Sequence, residues 1–161
     1  MEGLIVRQAR ADDLDEILRL WVEMVDFHTA QDAALRMRTD PEALESMRTY
    51  LRTGLDNPDS RLFVAEISAV AGLAGFLFAH IRVFSPLAVP PSGGFISDIC
   101  VDDHLRRHGI GRELFLAAKD WFRERGQMIL RLNVATASPI SQAFWRSMGG
   151  MEQMLLMRIE L

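Results

Sequence analysis

The sequence predicts a single α/β domain in which one mixed β-sheet is covered by helices. Its 161 residues are enough for one compact domain with a hydrophobic core. Strand-like and helix-like segments follow in the order β-α-α-β-β-β-α-β-α-β, which favours one sheet with helices packed on it. No repeat, low-complexity tract or linker divides the sequence. Residues 1–161 are therefore interpreted as one domain.

The first third of the chain is predicted to hold one strand and two helices. An apolar run over residues 4–6 favours a short strand. Asp12 stands in the position of an N-cap, with further acids in the next turn, and predicts a helix over residues 12–27. Asp40, followed directly by proline, is a strong helix start, and an apolar stripe continues this second helix to Gly54.

The rest of the chain is predicted to alternate strands with two further helices. Runs rich in β-branched and aromatic residues predict strands over residues 62–67, 73–83, 95–101, 128–134 and 151–161. The last of these alternates apolar and polar residues, which is typical of a strand with one buried face. The third helix is predicted over residues 110–125 with Gly126 past its end, and the fourth from Ser138 to near Gly149.

Composition and charge argue against several classes of protein. Hydrophobic residues make up 49% and charged residues 25%, as in ordinary globular proteins rather than disordered or fibrous ones. The net charge of −4 provides no broad basic face, so we expect neither nucleic acid nor an anionic membrane as partner. The single cysteine, Cys100, excludes an internal disulfide and a cysteine-based metal site, and no metal is expected. Without a predicted membrane span or signal peptide, a cytoplasmic location is expected.

The strongest chemical signature lies between the strand at 95–101 and the third helix. This loop reads Val101-Asp-Asp-His-Leu-Arg-Arg-His-Gly-Ile-Gly-Arg. Its glycines allow backbone N–H groups to approach an anion, and the helix N-terminus adds free donors and a partial positive charge. Four basic residues lie where the helix dipole disfavours cations, namely Arg106, Arg107, His108 and Arg112. The loop therefore predicts a phosphate site, although an exposed basic turn would have the same composition.

Two common phosphate-binding motifs do not fit this loop. A P-loop ends in Gly-Lys-Ser/Thr, which is absent. A dinucleotide fingerprint needs a third glycine where Leu114 stands, and it belongs to an N-terminal βαβ unit. Arg-x-x-Gly-x-Gly after a strand that ends in Val-Asp instead resembles the acyl-CoA loop of the GNAT superfamily of N-acetyltransferases. The segment from Phe95 to Val101 is similar to the family's fourth strand, and that from Ser138 to Gly150 to its later helix motif.

The resemblance follows the element order of the whole chain and carries expectations about fold and function. It implies a GNAT-like central mixed, mostly antiparallel sheet of about six to seven strands flanked by about four helices. It implies acetyl-CoA as co-substrate. The expected reaction transfers an acetyl group from acetyl-CoA to a primary amine of a small molecule, or to a peptide amine, by direct attack.

The resemblance also assigns the residues that would hold the acyl carrier. Backbone amides and side chains of the loop would hold the pyrophosphate, through Arg106, Arg107, His108, Gly109, Ile110, Gly111 and Arg112. Backbone groups of Ile99, Cys100 and Val101 would pair with the pantetheine amides in the manner of an added strand. Asn133 would line the gap through which the pantetheine arm runs. Ser138 stands where the family often has asparagine.

The chain departs from the family's pattern at two catalytic positions. Ser97 occupies the position that often carries a glutamate base, and alternation turns the neighbouring Asp98 to the opposite face unless a bulge re-aims it. Trp145 replaces the usual tyrosine, the proton donor to the thiolate, and its indole N–H cannot act as an acid. Asp98 is the favoured base, Ser97 holds the base position, and His80 is a second candidate.

Several questions stay open at the level of sequence. Asp26 and His28 follow the first helix, in the segment that walls the acceptor pocket in this family, and are candidate contacts to the acceptor. A CoA-binding module with weak or no transferase activity is the alternative function, because both catalytic positions are altered. A binder of another nucleotide phosphate is a third. The apolar last segment is consistent with a homodimer.

Overall fold

The sheet of this protein contains five strands in the order of the chain. The structure, a computed structural model, describes residues 3–159. The strands are β1 (Leu4–Gln8), β2 (Ser60–Ile67), β3 (Gly75–Val83), β4 (Ser92–Val101) and β5 (Leu130–Leu132). Neighbouring strands from β1 to β4 pair antiparallel, whereas β5 runs parallel to β4. The predicted mixed, mostly antiparallel sheet is therefore confirmed.

Four helices cover the two faces of the sheet. They are α1 (Leu14–Gln31), α2 (Pro41–Asp56), α3 (Ile110–Glu124) and α4 (Pro139–Ser147), with short 3₁₀ turns at Ala11–Asp13, Ala33–Leu35 and Asp103–Leu105. Side chains that alternate along β3 divide between the two cores. Phe76 and Phe78 pack with α1 and α2, whereas Leu77 and Ala79 pack with α3 and α4. Both faces of β3 are thus buried, which explains its nearly continuous apolar sequence.

Local chemistry sets the helix starts, and one of the predicted caps was wrong. Asp40 caps α2 as predicted, since its carboxylate accepts a bond from the N–H of Ala43 at 3.1 Å. Asp12, however, lies inside a 3₁₀ turn. The acid that closes this turn is Asp13, which accepts bonds from the backbone of Arg10 at 2.6 Å and from the Arg7 guanidinium at 2.7 Å.

The predicted last strand does not form within the described part of the chain. Residues 151–159 are irregular and exposed, and residues 160–161 lie outside the described residues. Alternation shows that a segment suits a half-buried strand, but a strand also needs a neighbouring strand with which its backbone can pair. The strand predicted over residues 128–134 is shorter than expected, because β5 has only three residues. The sheet therefore has five strands rather than six or seven. Within residues 3–159, no helix is long and apolar enough to cross a membrane.

Candidate active site

A gap between β4 and β5 is the main opening in the sheet. On one side β4 pairs with β3 along its whole length, from Ser92 to Val101. On the other side it pairs with β5 only from Gly94 to Ile96. Beyond Ile96 the backbone edge of β4 has no strand neighbour on that side among the described residues. This edge includes Ile99, Cys100 and Val101, so an extended chain of amides can add to it as a strand would.

The loop that follows β4 presents free backbone donors at the mouth of this gap. Arg107 and Gly109 both have left-handed backbone angles, with φ of 65° and 85°. Among residues 3–159, no acceptor is bonded to the N–H groups of Arg107, His108 and Gly109. The first N–H groups of α3 also lack intrahelical partners. Donors arranged in this way at a helix N-terminus can bind an anion.

The two adjacent arginines of the loop have different environments. The guanidinium of Arg106 turns inward, donating to the carbonyl of Val101 at 3.1 Å and to Glu23 at 3.4 Å, and lies 5.0 Å above the ring of Phe27. Arg106 therefore ties the loop to β4 and α1. Arg107 is exposed and has no ion pair within the described chain. Its guanidinium is therefore open to solvent.

The remaining basic groups of the loop are also exposed. Arg112 pairs with the adjacent Glu113 at 3.1 Å, and both side chains reach solvent. The Nδ1 atom of His108 lies 3.3 Å from the carbonyl of Leu105. Neither contact buries the side chain, so both residues can turn toward an anion at the helix N-terminus.

The residues assigned to the cofactor site around α4 have different surroundings. A Cβ atom on Gly111 would lie 3.4 Å from the ring of Phe144, which is an ordinary van der Waals contact, so the packing of α3 against α4 does not by itself require glycine there. Ser138 is fully buried and its hydroxyl bonds to that of Ser141 at 2.9 Å, as an N-terminal cap of α4. Its side chain therefore offers no surface to a carrier. Asn133, by contrast, is exposed directly after β5, beside the gap.

Trp145 belongs to the core beneath α4. It is 8% exposed and packs edge-on against Phe115 at 5.6 Å and Phe144 at 4.9 Å, measured between ring centroids. The indole therefore fills space between α3 and α4.

A β-bulge in β4 shapes the other end of the gap. Asp98 pairs with Phe78, whereas Ile96 pairs with Ala79, so Ser97 is the extra residue. A bulge turns consecutive side chains toward one face. Ser97 and Asp98 consequently both face α1 and α2. The assignment of Asp98 as base required such a bulge, because simple alternation would have turned its side chain to the other face of the sheet.

Asp98 is half-buried against α1. Burial raises the pKa of Asp98, while the approach of the Ser97 hydroxyl and the Trp21 indole favours its charged form. His28 of α1 lies near this carboxylate, and burial lowers the pKa of this histidine although Asp98 opposes the shift. The Nδ1 atom of His28 is buried without a hydrogen-bond partner within residues 3–159. Asp26 is exposed, so of this pair it is His28 that lies near Asp98.

His80 stands at the centre of a hydrogen-bonded group behind Ser97. Its Nε2 atom lies 3.0 Å from the Ser97 hydroxyl and 3.3 Å from the Tyr50 hydroxyl, and its Nδ1 atom lies 3.1 Å from the Ser60 hydroxyl. Burial and the nearby charge of Arg82 lower the pKa of His80 to about 4, which keeps the ring neutral at pH 7. Sequence reasoning missed Tyr50 and Ser60, because contacts between α2, β2 and β3 have no local signature.

Cys100 is buried on the same face of β4 as Asp98. Burial raises the pKa of its thiol to about 12, so the thiol stays protonated and is unsuited to nucleophilic attack. The side chain of Cys100 is therefore a packing residue of the core next to α1 and α2.

Comparisons with known proteins identify the family and the fold. A family model described as the acetyltransferase (GNAT) family matches residues 7–150. An uncharacterized N-acetyltransferase of Archaeoglobus fulgidus is 27% identical over 142 residues, which are 88% of this chain and 89% of the relative. The crystal structure of a mutant protein from Bacillus halodurans has a TM-score of 0.85 at 22% identity and covers 98% of this chain and 99% of its own.

A further solved structure carries the cofactor expected from the sequence. The aminoglycoside N-acetyltransferase AAC(6')-Iy, solved in complex with CoA, has a TM-score of 0.79 at 17% identity, covering 98% of this chain and 94% of its own. At such identity the likeness shows the fold alone, and the family model supplies the assignment. This chain belongs to the GNAT family of acetyltransferases.

Proposed function

We propose that this protein transfers an acetyl group from acetyl-CoA to a primary amine of a small molecule. The observation that carries the proposal is the continuity of three features along one strand. The loop with free backbone donors follows Val101, the open backbone edge of β4 covers residues 97–101, and the half-buried Asp98 lies where that edge begins. A phosphorylated carrier with an extended amide arm fits this order.

The donor would occupy the gap with its phosphates at the loop. The free N–H groups of residues 107–112 would hold the pyrophosphate, helped by Arg107 and Arg112. The pantetheine amides would pair with the backbone of Ile99, Cys100 and Val101 and run past Asn133. This arrangement brings the thioester toward the bulge at Ser97.

Transfer would proceed by direct attack of the amine on the thioester. Asp98 takes a proton from the amine, the nitrogen–carbon bond forms, and the carbon–sulfur bond breaks. The raised pKa of Asp98 suits a base, because its conjugate acid is weaker than an ordinary carboxylic acid. Since Trp145 is packed in the core, water protonates the departing thiolate. A thiol with a pKa of about 8.5 is a tolerable leaving group without further help.

A small amine is favoured over a protein as acceptor. The related AAC(6')-Iy is named for aminoglycosides, which are small molecules that bear amines. In this chain the neighbours of Asp98 include His28 and Trp21 from α1, whose side chains can contact a small ligand.

The first prediction is amine-dependent release of CoA thiol, measured with acetyl-CoA over a panel of small amines and peptides. Asp98→Asn, which keeps the size of the side chain, should lower kcat by about 10²–10⁴-fold and leave the affinity for acetyl-CoA unchanged. The wild-type rate should rise with pH as both Asp98 and the amine lose protons.

The panel also separates this proposal from a CoA-binding module. A protein that binds acetyl-CoA in calorimetry but releases no thiol with any amine would fit the module instead. A protein that prefers ATP or NAD to CoA in competition would contradict the assignment of the loop.

A further inference from the structure

We propose that Ser97, His80 and Tyr50 form a proton relay that returns Asp98 to its charged form by passing its proton to solvent. The inference rests on the proposed function, because it concerns the proton that Asp98 takes from the acceptor amine. It adds a path that the reaction needs, since a half-buried base must release each proton before the next turnover.

The path is a row of four side chains from Asp98 to the surface. Ser97 and Asp98 are consecutive residues that face the same side of the sheet at the bulge, and the Ser97 hydroxyl lies 3.0 Å from Nε2 of His80 and 3.4 Å from the carbonyl oxygen of Phe78. The same nitrogen is 3.3 Å from the hydroxyl of Tyr50. His80 is 8% exposed, whereas Tyr50 is 41% exposed. The row therefore leads from a half-buried base, through a buried imidazole, to a tyrosine that solvent reaches.

Ser60 can fix the tautomer of His80 that the relay requires. It is buried, and its hydroxyl lies 3.1 Å from Nδ1 of His80. When Nδ1–H donates to Ser60, the Nε2 atom keeps its lone pair toward Ser97 and Tyr50. A neutral ring with this tautomer can take a proton at Nε2 and give it up from the same atom.

Each member of the relay accepts one proton and donates one. The Asp98 carboxylic acid donates to the Ser97 oxygen, while the Ser97 proton passes to Nε2 of His80. The Nε2 proton then passes to the Tyr50 oxygen as the phenol proton leaves to water. The net result is one proton moved from Asp98 to solvent, with Ser97, His80 and Tyr50 restored. Charged or titratable groups near the row are Arg82 and His28, and neither interrupts it.

The decisive variant is Tyr50→Phe, which removes the outer hydroxyl and keeps the ring that contacts Phe78. We expect kcat to fall about tenfold with the KM for acetyl-CoA unchanged. Added imidazole should restore most of the loss, because a small buffer can take the proton from His80 where the hydroxyl stood. The matched control is Thr53→Val, which removes an exposed hydroxyl from the same helix and should have no effect.

Two results would overturn the relay in an enzyme that turns over. One is a kcat for Tyr50→Phe within twofold of the wild type. The other is a loss of kcat that no concentration of imidazole restores, since a purely structural defect is indifferent to buffer.

A second measurement tests the relay even if no acceptor amine is found. Nitrogen NMR of the wild-type protein should show His80 with its proton on Nδ1, and Ser60→Ala should shift the ring toward the other tautomer. A proton fixed on Nε2 in the wild type would overturn the proposal, because that atom could not then accept from Ser97. Failure of the amine panel alone would contradict only the proposed transferase activity.

Discussion

Adjacent residues of identical type have different roles in the loop after β4. Arg106 and Arg107 share charge, size and sequence context, yet one is bonded to Val101 and Glu23 and the other faces solvent. The difference comes from the backbone, because Arg107 adopts a left-handed conformation that turns its side chain outward. A sequence pattern can identify a basic loop, but it cannot tell which cation is already used by the fold.

Arg107→Gln should weaken binding of CoA about three- to tenfold without changing the stability of the protein, because it removes an exposed charge near the phosphates. Calorimetry at several salt concentrations would measure this, and the salt dependence should be shallower in the variant. Arg123→Gln is the control, because it removes an exposed cation from the far end of α3. Equal affinities for the wild type and Arg107→Gln would mean that the backbone alone binds the anion.

At the scale of elements, helices with clear end signals could be predicted and short strands could not. The Asp40 cap and the glycine after α3 mark boundaries through local backbone chemistry, and both helices appear where predicted. By contrast, β5 and the segment from residue 151 depend on strand partners that are distant in sequence. The bulge at Ser97 could not be predicted from local sequence either, because it is a property of the pairing between β3 and β4.

The contact between α3 and α4 predicts the outcome of a substitution at Trp145. Trp145→Phe should lower the free energy of unfolding by about 1–2 kcal/mol, because a smaller ring leaves part of the space beside Phe115 empty. Turnover should stay within about threefold of the wild type, since the indole takes no part in protonating the thiolate. Urea denaturation and the thiol-release assay measure the two effects. A large loss of turnover in a folded variant that still binds acetyl-CoA would contradict this role.

In the molecule as a whole, one strand carries the main features of the candidate site, and a group of exposed apolar side chains follows Gly150. β4 supplies the bulge, the open edge and the start of the anion loop. After Gly150 several large apolar side chains are exposed, including Met151, Leu156 and Ile159. The homodimer expected from this segment stays a prediction.

Stability in acid should depend on His80. Its pKa of about 4 in the folded protein is below the value of about 6.5 expected in an unfolded chain. Between these values the unfolded state binds the extra proton, so stability falls as the pH falls from about 6.5 to about 4. The loss due to His80 should be on the order of 2–3 kcal/mol, because a shift of one pKa unit corresponds to about 1.4 kcal/mol. Asp98 acts in the opposite direction, because its pKa is raised.

The contribution of His80 is therefore measured as a difference between proteins. Urea denaturation of wild type and His80→Gln at pH 7 and pH 4.5 should show a smaller loss of stability in the variant. His104→Gln, at a side chain that is 90% exposed, is the control and should follow the wild type. If His80→Gln and the wild type lose equal stability on acidification, the ring is not held neutral by its surroundings, and the resting state required by the relay would be wrong as well.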